Sequence, residues 1–268
     1  MAIVFGCISP HPPIIVREVG QGREWEARRT IEALEQVARG MARHRPETAI
    51  LISPHCPLRR DAFGVLVARR SEGSFQDWGA PGVIMSFEND LEAVALIREE
   101  AQAMGVPVEP LRRWNGGLDW GCTVPLYYLR PGLAGARLVP LTISFLPARE
   151  HFRWGQAVGR AAARLGRRVA VIASADLSHC LHRDGPYGYD PAGPAFDEAM
   201  QRAVAQWDVE AVLSAESALR ERAKEDAVPS ISFLMGALDG LRVRPQVLSY
   251  EGPFGVGYMV AIVEVEGT

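Results

Sequence analysis

The sequence predicts a single α/β domain over residues 1–268, with a mostly parallel central sheet and helices on both faces. Apolar runs such as Thr48–Ser53 and Arg168–Ala173 alternate with longer segments of helical spacing, such as Glu24–Arg43. Strands that are buried on both faces have continuous apolar sequences, and their alternation with helices is typical of parallel sheets. Ligand sites in such sheets lie beyond the carboxyl ends of the strands, so we expect the functional residues there.

Each element has local support in the sequence. The first strand, Ile3–Ile8, is rich in β-branched residues, and the prolines on either side of His11 prevent its continuation. The first long helix carries Leu34 and Met41 on one face. The other predicted strands are short aliphatic runs, namely Phe63–Ala68, Gly82–Ser86, Ala136–Ser144, Gln246–Tyr250 and Val256–Val265. The other predicted helices are Leu91–Met104, His151–Leu165, Phe196–Gln206, Val209–Ala215 and Ser230–Leu238, and Trp114–Gly121 is predicted to be a loop.

Composition narrows the class of protein. The formal net charge of −3 argues against nucleic acid or an anionic membrane surface as the main partner. No apolar run approaches the roughly 20 residues that a membrane span needs, and the first residues lack the basic region of a signal peptide. The four cysteines do not form the pattern of a disulfide framework, so we expect a cytoplasmic protein.

Three of the six histidines follow apolar strands by a few residues: His11, His55 and His179. Because parallel strands end at one edge of the sheet, these side chains are able to converge. The repeated Ser-Pro-His sequence at His11 and His55 strengthens this interpretation, since proline restricts the backbone before each imidazole. Imidazole is the commonest protein ligand of divalent transition metals, so we predict one shared metal site. We expect His44 and His151 to face solvent and His182 to lie at the surface or behind the site.

A carboxylate is needed to complete such a site, and several are candidates. The triplet Lys224-Glu225-Asp226 precedes an apolar helix, where acidic residues also stabilise the helix dipole. Glu251 is the second candidate, and Asp119 and Asp176 are others that are equally able to cap loops.

Cysteine offers a different chemistry near the same histidines. Cys7, Cys56 and Cys180 each lie within four residues of His11, His55 or His179. Nucleophilic catalysis by a Cys–His pair is therefore an alternative, although free cysteines are commonly small buried apolar residues. The sequence contains no P-loop, no dinucleotide-binding glycine motif after a strand and no Cys-x-x-Cys pair.

Five segments, spread from the first strand to the last, carry a resemblance to a known family. The chain resembles the class III (LigB-type) extradiol ring-cleavage dioxygenases and their Memo-like relatives, with AmmeMemoRadiSam system protein B as the nearest type. The segments are Ser9-Pro10-His11-Pro12-Pro13, Ser53-Pro54-His55, Leu118-Asp119-Trp120-Gly121, Ser174-Ala175-Asp176-Leu177-Ser178-His179, and Leu248 to Tyr258.

The resemblance implies specific roles. His11 and His55 correspond to two ligands of a non-haem Fe(II), and Glu225 to the third. His179 corresponds to the acid/base residue beside the substrate, and with Asp119 it makes up the predicted catalytic set. The family segment usually reads Leu-Asp-His-Gly, but this chain has Trp120 in place of that histidine. An indole does not titrate and only donates a hydrogen bond, so the usual two-imidazole chemistry is altered.

The resemblance thus implies ring cleavage of a catecholic or related small aromatic molecule with O₂. Fe(II) is the expected metal and Zn(II) the alternative, and a homodimer is compatible with the family. The alternative function is that of a metal-binding Memo-like protein with the same fold and a different or lost activity, working with a radical-SAM system or as an interaction module.

Overall fold

The computed structural model describes residues 3–55, 57–114 and 116–267. Its ten strands within these residues are β1 Ile3–Ser9, β2 Thr48–Ser53, β3 Phe63–Leu66, β4 Arg70–Phe75, β5 Ala80–Glu88, β6 Val108–Leu111, β7 Arg137–Thr142, β8 Val169–Ser174, β9 Val243–Glu251 and β10 Tyr258–Val265. The α-helices of the same residues are α1 Arg17–Gly20, α2 Arg28–His44, α3 Leu91–Ala103, α4 Trp120–Leu129, α5 Ala148–Leu165, α6 Ala192–Gln206, α7 Val209–Leu213, α8 Ser217–Ala223 and α9 Ala227–Ala237.

Eight strands form the central sheet, in the order β6-β3-β7-β2-β8-β1-β10-β9. The four middle strands, β7, β2, β8 and β1, pair in parallel. Antiparallel pairing occurs where β3 meets β7 and where β10 joins β1 and β9. The predicted fold class, an α/β domain with a mostly parallel sheet, is therefore confirmed.

The sheet has an apolar core on each face. On one face, Trp154 of α5 and Phe233 of α9 pack with the aliphatic residues of the strands. On the other, Leu34 of α2 and Leu126 of α4 do the same. This two-sided cover explains why the inner positions of the middle strands are almost all apolar, with polar residues confined to the strand ends. None of the helices in the described ranges is long and apolar enough to span a bilayer.

Some elements differ from the sequence-based predictions. The helix predicted to begin at Glu24 starts with a 3₁₀ segment, Arg23–Ala27, and becomes α-helical only at Arg28. Strand β4 was not predicted, because its sequence Arg-Ser-Glu-Gly-Ser-Phe contains no apolar run. It pairs with β5 in a separate two-stranded sheet. Strand β6 and helix α8 were also not predicted.

Candidate metal centre and adjacent cleft

His11 and His55 meet at the carboxyl edge of the sheet. They follow β1 and β2, which lie on either side of β8 and run parallel to it, so both residues lie at the same edge of the sheet. The two Nε2 atoms lie 2.8 Å apart. His11 is 1% exposed, whereas the His55 side chain is 24% exposed and so faces solvent in part. The structure thus brings together the two histidines that the Ser-Pro-His repeat predicts as partners.

Asp226, in the turn between α8 and α9, completes a three-residue cluster with this pair. Its Oδ2 atom lies 3.3 Å from Nε2 of His11 and 3.5 Å from Nε2 of His55. One ligand atom from each residue lies within 4.8 Å of the others. Asp226 Oδ1 accepts a hydrogen bond from the backbone N–H of Asp176 at 2.9 Å, which holds the carboxylate in place.

The structure does not bring Glu225, the third ligand that the resemblance implies, to the histidines. Its Oε1 accepts a hydrogen bond from Nε of Arg220 at 2.6 Å, and its Oε2 accepts one from the backbone N–H of Val228 at 2.7 Å. The side chain is 2% exposed and both oxygens have partners. Glu225 therefore stabilises the start of α9, while its neighbour Asp226 points to the imidazoles.

The three donor atoms fit a first-row divalent cation. Ligand bonds of about 2.1 Å at right angles or tetrahedral angles place neighbouring donor atoms roughly 3.0–3.4 Å apart. The observed separations of 2.8, 3.3 and 3.5 Å scatter around that range. Nδ1 of His11 lies 2.9 Å from Oγ of Ser174, an outer contact that orients the ring and leaves Nε2 for coordination.

Electrostatics at the cluster favour a positive charge. Burial alone would lower the pKa of His11, but the carboxylates of Asp176 and Asp226 raise it to about 9. Burial and the charge on His11 lower the pKa of His55 to about 4. Burial would raise the pKa of Asp226, yet His11 holds that pKa below its ordinary value. The cluster therefore favours one positive charge close to its carboxylates.

Asp119 lies behind His55 as a positioning residue. Its Oδ1 accepts hydrogen bonds from Oγ of Ser53 at 2.8 Å and from the backbone N–H of Cys122 at 3.2 Å. Its Oδ2 accepts one from Nε1 of Trp114 at 2.8 Å. The backbone N–H of His55 in turn donates to Oγ of Ser53 at 3.3 Å. Because both carboxylate oxygens are engaged, Asp119 caps α4 and braces the His55 loop; its predicted catalytic role stays a prediction.

Gly121, in the first turn of α4, allows this helix to approach Ser53 and His55 closely. A Cβ atom at this position would collide with Oγ of Ser53 and would lie 2.8 Å from Oδ1 of Asp119 and 3.2 Å from Cδ2 of His55. The small residue after Trp120 is thus required by the close approach of α4 to Ser53 and His55.

His179 lies near the cluster and carries an imidazole nitrogen without a partner. Its Nδ1 is buried and makes no hydrogen bond within the described part of the chain. Its backbone N–H donates to the carbonyl of Ala223 at 2.9 Å, and its charge influences the pKa values of His55 and Asp226. An imidazole that is held by its backbone and has a free ring nitrogen is suited to proton transfer.

Two other histidine and carboxylate predictions have clear outcomes. His151 is fully buried, contrary to the prediction that it faces solvent. Its Nε2 accepts a hydrogen bond from the backbone N–H of Ser144 at 3.2 Å, and its ring packs edge-on against Phe63 at 5.0 Å. Oε1 of Glu251 accepts hydrogen bonds from the backbone and side chain of Thr30 at 2.6 and 2.7 Å, so Glu251 anchors α2.

The described cysteines near the site are buried. Burial raises the pKa of Cys7 and of Cys122, so neither thiol ionises readily. A neutral buried thiol is a poor nucleophile, which disfavours the Cys–His alternative. Cys56 lies outside the described residues.

An open cleft of about 380 Å³ adjoins the cluster, with His55 in its wall. The ring of Trp120 stacks on His55 with centroids 4.3 Å apart and an interplanar angle of 31°. Trp78 meets Trp120 edge-on at 5.7 Å. Trp78 and Trp114 were not singled out in the sequence, because they come from a hairpin and a loop that only the fold brings together.

Comparison with known proteins identifies the family. Residues 6–261 match the model of the catalytic LigB subunit of aromatic ring-opening dioxygenase. The chain belongs to this family, as its resemblance predicts.

Individual relatives add detail. Protein CA_C1420 of Clostridium acetobutylicum is 36% identical over an alignment of 264 residues, which covers 96% of this chain and 56% of that protein. The 2,3-dihydroxyphenylpropionate/2,3-dihydroxicinnamic acid 1,2-dioxygenase of Azotobacter vinelandii is 30% identical over 141 residues, 50% of this chain and 44% of that enzyme. The chain thus spans about half the length of these relatives. The solved structure of the uncharacterized protein JW3007 of Escherichia coli K12 shares the fold, with a TM-score of 0.65, 17% identity, and coverage of 97% of this chain and 99% of that one.

Proposed function

We propose that this protein binds Fe(II) through His11, His55 and Asp226 and opens the ring of a catecholic small molecule with O₂. The carrying observation is the convergence of two imidazoles and one carboxylate beside an open cleft. Two histidines and one carboxylate that leave coordination positions open are the ligand set of non-haem Fe(II) oxygenases. Family membership and the distant Azotobacter dioxygenase support the same reaction class.

When bound by His11, His55 and Asp226, the metal would supply Lewis acidity for the diol and redox chemistry for O₂. The protein supplies the rest. Ser174 and Asp119 orient the ligand-bearing segments through the hydrogen bonds described above. Trp120 and Trp78 form an aromatic wall on which a flat ring is able to stack. His179 takes the phenolic proton on its ring and returns it to the product, a contribution typically worth about 10²–10⁴-fold in rate.

Trp120 favours a second candidate function. It occupies the position at which the family usually has another histidine, and its indole cannot exchange a proton. Besides the two proposed imidazole ligands, His179 is then the remaining imidazole for acid/base chemistry. Such a site is suited to a slower ring cleavage or to a different reaction on the same centre. The second candidate is therefore a metal-binding relative without ring cleavage, working with a radical-SAM enzyme or as an interaction module. We also propose a cytoplasmic location, consistent with the three free, buried cysteines of the described residues.

Anaerobic purification, loading with Fe(II) and measurement of O₂ uptake on a panel of catechols test the proposal. We expect uptake with at least one diol, together with a ring-opened product detected by absorbance and mass spectrometry. The His11→Ala/His55→Ala double variant should lose both bound iron and uptake. His44→Ala, a histidine on α2 near Glu264, is the matched control and should retain both. Stoichiometric iron with no uptake on any diol would contradict ring cleavage and support the second candidate.

A further inference from the structure

We infer that the cleft beside the metal centre selects aromatic ligands whose ring substituent is cationic or uncharged, and discriminates against carboxylates. This inference rests on the proposed function, because it names the substrate class of the same site. The cleft volume of about 380 Å³ is in the range of small-molecule sites.

Tryptophan side chains form much of the wall of the cleft. Three of the lining residues are tryptophans: Trp78, Trp114 and Trp120. Trp114 is 7% exposed and its N–H is held by Asp119, and Trp120 is held against His55. Trp78 is 42% exposed, so its indole is available to a ligand. Indole faces carry negative electrostatic potential and attract ammonium groups but not carboxylates.

The charged side chains that line the cleft are acidic. Among the described residues that line the cleft, Asp77 and Asp119 are the charged ones, and none is Lys or Arg. Asp119 is fully engaged by its hydrogen bonds to Ser53, Cys122 and Trp114. Asp77 is exposed in the turn between β4 and β5, next to Trp78. A ligand carboxylate in this cleft would therefore meet a second carboxylate and no cation, whereas an ammonium group would meet Asp77 and the indoles.

An adjacent groove has mainly positively charged side chains in its lining. It shares Trp114, Gly117 and Leu118 with the cleft. Its charged lining residues are Arg70, Arg112, Arg113 and Glu72, of which Glu72 lies 3.7 Å from Nε of Arg70. Nε of Arg70 donates to Oγ of Ser86 at 2.7 Å. This groove does not contain His55, so a ligand bound to the metal centre has the acidic cleft beside it. If anionic ligands bind more tightly, the alternative cause is binding to Arg112 and Arg113 in this groove.

A charge series of matched diols tests the inference. The probes are 4-(2-aminoethyl)catechol, 4-ethylcatechol and 3-(3,4-dihydroxyphenyl)propionate, which differ mainly in the charge at the end of a two-carbon chain. Binding is measured by calorimetry on Zn(II)-loaded protein, because zinc has no redox chemistry and the diols are not consumed. We expect the ammonium probe to bind about tenfold more tightly than the carboxylate, with the ethyl probe between them.

Substitutions of Asp77 test whether this residue causes the preference for the ammonium probe. Asp77→Asn should reduce the preference for the ammonium probe severalfold, and Asp77→Lys should reverse the order of the charged probes. Asp239→Asn is the matched control, because Asp239 lines a separate groove that contains Ile3, at the amino-terminal start of β1, and should leave all three affinities unchanged. Equal or tighter binding of the carboxylate, or a preference that is unchanged in Asp77→Lys, overturns the inference. An anion preference that disappears in Arg112→Ala/Arg113→Ala also overturns it and assigns the ligand to the adjacent groove.

A second series separates this inference from the diol chemistry. 2-Phenylethylammonium and 3-phenylpropionate lack the hydroxyl groups, so their binding depends on the cleft alone. The same preference in this pair, and its loss in Asp77→Lys, supports the inference even if no diol is turned over. If diols are turned over but neither series shows a charge preference, the proposed function stands and the inference is wrong.

Discussion

The adjacent acidic residues Glu225 and Asp226 provide the sharpest internal test of the site, because the structure gives them different tasks. Glu225→Gln removes the charge of a side chain that is 2% exposed and bonded to Arg220 at 2.6 Å. Loss of a hydrogen bond between charged groups costs about 1.5–3 kcal/mol. At 2–4 °C per kcal/mol for a chain of this size, the melting temperature should fall by roughly 3–12 °C. Metal stoichiometry should stay at that of the unaltered protein, since no ligand is lost.

Asp226→Asn should give the reverse pattern. Oδ2 of Asp226 lies 3.3 and 3.5 Å from the two imidazole nitrogens, so the variant would replace the proposed anionic ligand with a neutral amide. Replacement of outer contacts alone typically costs about 10–100-fold in metal affinity, and loss of a direct ligand should cost more than about 100-fold.

Both variants are measured in the same way. Iron content is determined after anaerobic loading and desalting, affinity by competition with a chelator, and melting temperature on chelator-treated protein. Loss of metal from Glu225→Gln, or stoichiometric metal in Asp226→Asn, would refute the assignment of the third ligand.

Three further predictions follow from contacts around the site and in the core. Gly121→Ala should weaken metal binding by about 10–100-fold, measured by chelator competition, because its Cβ would displace Ser53 and press on His55. Trp120→His should raise the rate of O₂ uptake by about 10²-fold, because it adds an imidazole capable of proton transfer. His151 has its pKa lowered by burial to about 4, so its neutral form stabilises the fold above pH 6.5. Stability should fall by up to about 3 kcal/mol as the pH decreases from 6.5 to 4, and His151→Gln should flatten this dependence in urea titrations.

Each of these has a result that would count against it. Unchanged metal affinity in Gly121→Ala would show that the loop around His55 relaxes freely. No gain in Trp120→His would mean that proton transfer at this position does not limit the rate. An acid dependence that persists in His151→Gln would place the titrating group elsewhere in the core.

The strand ends were predictable from sequence for a physical reason. Parallel strands bring their carboxyl ends to one edge, so the repeated Ser-Pro-His sequence at His11 and His55 was enough to predict the pair. The carboxylate that joins this pair could not be predicted, because Glu225 and Asp226 are neighbours of similar chemistry. Which of the two points to the histidines depends on the turn between α8 and α9 and on Arg220, neither of which is visible in a local pattern.

Burial of single polar residues was equally hard to predict. His151 lies on a helix with charged neighbours, which favours an exposed position, yet it satisfies a backbone N–H of the core at Ser144. Trp78 and Trp120 lie 42 positions apart, and only the β4–β5 hairpin brings their rings together. Contacts of this kind depend on tertiary packing and leave no periodic signal in the chain.

We propose that His11, His55 and Asp226 together hold one metal ion. An anomalous-scattering map of crystals of iron-loaded protein, recorded at the absorption edge of the metal, is the direct test. We expect one peak about 2.0–2.2 Å from Nε2 of His11, Nε2 of His55 and a carboxylate oxygen of Asp226. A peak bound by Glu225, or no peak at this edge of the sheet in crystals of iron-loaded protein, would contradict it.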